Sequence, residues 1–160
     1  MAELNEKTYE GIKGWLILPL LGLLIAPFRI ALLMYRDFWP LFSEGYWSVL
    51  TTPGSEEYHP LLAPLLVFEV GGNLLIIVLD LVALWFFFKK SHLAPKIIIA
   101  FLIIDVLFVG GDFSLSHVIP GLAPKSDPES ARELARAIVG VVIWIPYFLV
   151  SKRVKSTFVR

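Results

Sequence analysis

Apolar residues gather in four long stretches separated by shorter polar ones, and each stretch is long enough to form a membrane-crossing helix. Such a helix needs roughly 20 mostly apolar residues. The first stretch covers residues 12–35 and is broken in its interior only by Arg29; the second covers 60–88 and the third 95–118. The fourth ends at 150. Its uninterrupted apolar run, 137–150, spans only about 21 Å at 1.5 Å per residue. The hydrocarbon core is about 30 Å thick, so this helix has to start near Ser130 and carry Arg136 into the membrane. Its span is then 130–150. Asp127 or Ser130 stands where an N-cap belongs, with Pro128 and Glu129 in the first turn. The pattern predicts an all-α integral membrane protein, a four-transmembrane-helix bundle forming a single domain over residues 1–160.

Composition agrees. Only 18% of residues are charged and mean hydropathy is +0.74, against about 25% charged in soluble domains. There are no cysteines, which excludes disulfides, thiolate metal sites and cysteine nucleophiles. Zero net charge removes any bulk argument for nucleic acid. The N-terminus does not read as a signal peptide. Glu3, Glu6 and Glu10 precede an apolar stretch too long for a secretory segment, and no small-residue cleavage site closes it.

Charge placement sets an expected orientation. Lys7, Lys13, Lys89, Lys90, Lys96, Lys152, Arg153, Lys155 and Arg160 fall on one side. The other side has Arg36, Lys125 and Arg132 among Asp37, Glu44, Glu56, Glu57, Asp127 and Glu129. The positive-inside rule then puts both termini in the cytoplasm. Residues 37–59 become an external loop rich in aromatics (Phe38, Trp39, Phe42, Tyr46, Trp47, Tyr58) that suits the headgroup level. Within it, Ser43-Glu44 is placed to cap a short helix through Leu50. Trp15 and Trp85 fit the opposite interface. Pro19, Pro27, Pro64 and Pro146 each remove a backbone hydrogen bond and are expected kink points. Gly71-Gly72 and Gly110-Gly111 permit close helix approach.

Several segments carry a family resemblance. They are Gly14-Trp15-Leu16-Ile17-Leu18-Pro19, His59-Pro60-Leu61-Leu62-Ala63-Pro64 with Phe68-Glu69, Ile143-Trp144-Ile145-Pro146-Tyr147-Phe148, and Ser151-Lys152-Arg153-Val154-Lys155-Ser156-Thr157-Phe158. Together they resemble the DUF2569 family of small bacterial inner-membrane proteins, over about 14–159. The resemblance implies an inner-membrane location and four spans. It implies no activity and supplies no catalytic residues.

Charged groups within the hydrocarbon region are costly and mark function or internal pairing. Six fall there: Arg29, Glu69, Asp80, Asp105, Asp112 and Arg136, joined by Asn73. Counting helix rise from Trp15, Phe88, Ile97 and Val150 puts Arg29, Asn73, Asp112 and Arg136 about 21–23 Å from one boundary, with Asp80 and Asp105 about 12 Å from it. Glu69 falls slightly beyond the first group. Spacings of four and seven put Glu69, Asn73 and Asp80 on one face, and Asp105 and Asp112 on another. Two layers result. The first is an intramembrane network of Arg29, Glu69, Asn73, Asp112 and Arg136 whose charges cancel, unless Arg136 snorkels outward. The second is an acid pair, Asp80 and Asp105, with no base at its depth. It holds a proton, holds a cation, or meets a partner's charge.

Catalytic signatures are missing: no Ser-His-Asp spacing, no paired-histidine motif, no glycine-rich phosphate loop. His59 and His117 stand near equivalent span ends but read as solvated or hydrogen-bonded, so no catalytic, metal or cofactor site is assigned. The reading ranked first is a non-enzymatic accessory or assembly subunit that, besides the lipid bilayer, meets a membrane-protein partner or a second copy of itself. The alternative is a proton- or cation-linked carrier or binding protein centred on Asp80 and Asp105, with Glu69 and Asp112 as an outer station.

Overall fold

A computed structural model describes residues 11–55, 58–118 and 128–159. A single turn of 3-10 helix at Gly14–Leu16 leads into α1 (Ile17–Ser43). Then follow α2 (Tyr46–Thr51), α3 (Leu62–Phe88), α4 (Ala94–Val118), α5 (Pro128–Val150) and α6 (Lys152–Thr157). No strand occurs among the described residues. Four helical segments, Gly14–Ser43, Leu62–Phe88, Ala94–Leu115 and Pro128–Val150, are long and apolar enough to cross a membrane.

The first helix is longer than its apolar stretch. Residues 37–43, expected in the loop, continue α1 through Pro40. Phe38 turns inward and is buried, while Tyr35 and Trp39, one turn apart, stack at 5.6 Å. Gly45 then ends the run at φ +77°, a left-handed conformation that glycine adopts without Cβ strain. Gly45 also precedes α2, so it replaces Ser43-Glu44 as the cap: the Ser48 hydroxyl donates to its carbonyl at 2.8 Å.

The prolines divide into two groups. Pro19 and Pro64 sit in the first turns of α1 and α3, where backbone N–H groups have no intrahelical acceptor, so they cost nothing there. Pro27, Pro40 and Pro146 are interior. Pro128 is the first residue of α5 with Glu129 in its first turn, which displaces Ser130 as a cap; Asp127 lies outside the described residues.

Packing is sequential. α3 lies against α1, α4 against α3, and α5 against α4, whereas α1 and α5 scarcely pack on each other. The core is apolar and includes Leu23 and Ile30 of α1, Ile76, Ala83 and Phe87 of α3, Ile98 and Phe101 of α4, and Phe148 of α5. Gly72 lets α3 meet α4 closely: a Cβ there would lie 1.9 Å from the Phe108 ring. Outward positions such as Phe28, Leu32, Leu107 and Val142 leave most of their apolar surface uncovered, as lipid-facing residues do.

The bundle has two unlike ends. At the loop end lie the α1–α3 connection and the start of α5. At the tail end, the α3–α4 turn meets both termini of the described chain. There the Thr157 hydroxyl donates to the Gly11 carbonyl at 3.2 Å, and Phe158 packs its ring against Phe87 at 5.1 Å. Ser151 caps α6 by accepting from the Val154 N–H. The C-terminal basic segment is therefore a folded clasp, with Val154, Thr157 and Phe158 all buried.

Candidate functional site

A polar cavity of about 290 Å³ opens inside the loop-end half of the bundle. Every long helix contributes to its wall. α1 brings Arg29, Arg36 and Asp37; α3 brings Glu69 and Asn73; α4 brings Asp105 and Asp112; α5 brings Glu129 and Glu133. Helical period explains the convergence: Asp105 and Asp112 are two turns apart on one face, as are Glu69 and Ile76. That spacing makes the cavity at least about 10 Å deep.

An ion pair crosses its interior. The Arg29 Nη1 donates to Glu133 Oε1 at 2.8 Å, joining α1 to α5 where their backbones stay apart. At the mouth, Arg36 pairs with Asp37 at 2.7 Å and reaches Glu129 at 3.4 Å. The Asn73 amide donates to the Glu69 carbonyl of its own helix at 2.9 Å, which orients it along α3 rather than across the bundle.

A second cavity, about 520 Å³ and mostly apolar, fills the gap between α1 and α5 with α4 as its back wall. Arg29, Ile30, Asp105, Val109 and Glu133 line both spaces. The Arg29–Glu133 bridge is therefore a partition between a polar chamber and a lateral groove. Asp105 stands at the junction.

Five of the seven intramembrane polar residues singled out from the sequence thus converge: Arg29, Glu69, Asn73, Asp105 and Asp112. Two do not. Arg136 is exposed, lines only the lateral groove, and makes no ion pair among the described residues. Asp80 is fully buried on α3, one turn beyond Ile76, which lines the polar cavity. Neither of its carboxyl oxygens has a hydrogen-bond partner.

The expected charge balance does not hold. Two arginines face six carboxylates around the cavity. Glu133 is the group that sequence reading missed. It lies within the expected 130–150 span, but in its polar first turns rather than in the apolar run beginning at Ala137. Its spacing of four from Glu129 and three from Arg136 was the available signal. His59 accepts from the Leu61 N–H at 3.3 Å, a local turn contact; the His117 side chain lies outside the described residues. Among the described residues no three His, Asp or Glu side chains converge as metal ligands would.

Four membrane-length helices around a charged internal cavity define a small polytopic membrane protein. The chain belongs to the family described as "Protein of unknown function (DUF2569)", which it matches over residues 9–159. It is 30% identical over 167 aligned positions to "Inner membrane protein YdgK" of Escherichia coli (strain K12), covering 98% of this chain and 99% of that one. With its four spans, the chain is a multi-pass inner-membrane protein. No solved structure matches it.

Proposed function

We propose that this protein is non-enzymatic and binds a proton or a small cation, such as an organic ammonium group, in the carboxylate-lined cavity. The observation that carries the reading is the excess of acid over base within a bundle that every long helix helps to wall. Fixed carboxylates in a low-dielectric enclosure attract positive charge far more strongly than in water. They are spread around the wall rather than gathered as a coordination set, which suits a diffuse cation better than a chelated metal. Asp105 is the deepest carboxylate of the cavity, and Asp80 is a second station one turn further in. Orientation completes the picture. Described residues at the tail end include Lys13, Lys89, Lys90, Lys96, Lys152, Arg153 and Lys155 with no acid among them. This supports cytoplasmic termini and an external cavity mouth.

The test is thermal stability of the purified protein in nanodiscs against rising concentrations of a diamine and of sodium. Wild type should gain stability as ligand saturates. Asp105→Asn with Asp112→Asn should abolish the gain, and Asp80→Asn with Asp105→Asn should abolish any cation dependence. An unchanged response in both double variants sinks the reading.

A second reading, an accessory or assembly subunit, is favoured by the open side between α1 and α5. A partner helix or a second copy seated there would complete the bundle. Cross-linking from Ile25 and Val139, both exposed on the groove walls, should then capture a protein; a chain that stays monomeric and uncrosslinked in native membranes excludes it.

A further inference from the structure

The tail end carries a second, chemically opposite site. A pocket of about 340 Å³ lies where α6 folds back over the start of α4 and the end of α5. Lys96, Lys155 and His92 rim it, and Phe148, Val154 and Phe158 form an apolar floor; among the described residues no carboxylate lines it. Lys96 and Lys155 are both exposed. They come from segments 59 positions apart in sequence, and only the clasp of α6 brings them to one rim. The first turn of α4 adds the partial positive charge of a helix N-terminus.

The pocket also sits at a defined level. Trp85 and Trp15 are exposed at this end, and Lys89 lies over the Trp85 ring at 3.8 Å. Such aromatic and lysine residues mark the membrane–water interface. A cationic rim at headgroup level above an apolar floor matches one kind of ligand: a phosphate head whose acyl chains continue down the helices.

We propose that this pocket binds the headgroup of an anionic phospholipid from the leaflet at the tail end. The lysines take the phosphate oxygens, and Phe148 with Phe158 receives the first methylenes. The clasp is thereby a lipid-reading element, independent of what the acidic cavity binds.

The experiment is native mass spectrometry of the full chain released from nanodiscs of phosphatidylcholine doped with phosphatidylglycerol or cardiolipin. Wild type should retain one anionic lipid in preference to phosphatidylcholine. At about fivefold per lysine, Lys96→Gln with Lys155→Gln should weaken retention by about 25-fold. Lys152→Gln removes an exposed charge from the same short helix but lies outside the pocket, and should change retention less than twofold. Circular dichroism melting checks that each variant keeps the wild-type fold. Equal loss in Lys152→Gln would reduce the effect to surface charge and overturn the proposal. So would retention by the double variant within twofold of wild type, or complete displacement of the lipid by millimolar inorganic phosphate, which would mark a free-anion site.

Discussion

Asp80 is the sharpest point at which the structure departs from what stability alone would select. Its carboxyl group is fully buried, with Ile76, Ala83, Leu84 and Phe87 buried along the same helix, and neither oxygen is hydrogen-bonded. A buried polar group left unsatisfied costs about 1–3 kcal/mol. Asp80→Val removes that penalty while changing little else. The two residues have nearly equal helix propensity, so that contribution cancels, and valine adds hydrocarbon to an apolar neighbourhood. The variant should therefore be more stable than wild type by about 1–3 kcal/mol. For a chain of this size that is a rise of about 2–12 °C in melting midpoint. The assay is unfolding in mild detergent followed by circular dichroism, without added ligand. Ile76→Val, one turn away, calibrates the scale with an expected loss of about 0.5–1.5 kcal/mol. A variant less stable than wild type by more than 1 kcal/mol would refute the reasoning, because the carboxyl would then have a stabilising partner in the folded state.

Three further outcomes follow from the packing. Gly72→Ala should lose about 1–3 kcal/mol, because its methyl group would stand 1.9 Å from Phe108, and Phe108→Ala in the same chain should recover part of that loss. A double-mutant cycle on Arg29→Ala and Glu133→Ala should give a coupling of about 0.5–1.5 kcal/mol, since the side chains are 40% and 31% exposed; zero coupling would show that the partition is not held by this pair. Phe158→Ala should cost about 3 kcal/mol by emptying the contact with Phe87, and limited proteolysis should then release the clasp.

Hydropathy made the spans legible because lipid imposes a length on them. It was blind where helices are set by local geometry instead. The last two turns of α1 are polar and aromatic enough to read as loop, yet Phe38 has a buried site and Gly45 supplies the stop. Helical spacing put Glu69, Asn73 and Asp80 on one face and Asp105 with Asp112 on another; all of these but Asp80 line the cavity. It could not fix the rotation of α3 against α4, which decides that Asp105 joins the cavity while Asp80 stays behind Ile76. Glu133 was hidden for a different reason. It sits in the polar first turns of the 130–150 span, which read as headgroup-level, and in this bundle those turns supply the partner of Arg29. The pairing of Lys96 with Lys155 is a purely tertiary result, since nothing in the local sequence announces that the tail folds back.

The contact between Thr157 and Gly11 joins residues 146 positions apart, and this has a consequence for biosynthesis. At about 5–20 residues per second, the ribosome needs roughly 7–30 s to make the second partner after the first. Within it α1 and α3 are made, and from the synthesis of Phe87 until Phe158 follows 71 positions later, the surface that Phe158 will cover stays bare. The tail end therefore closes only after all four spans have been made. A chain ending before Thr157 would keep all four spans yet lack the contact that joins its two ends.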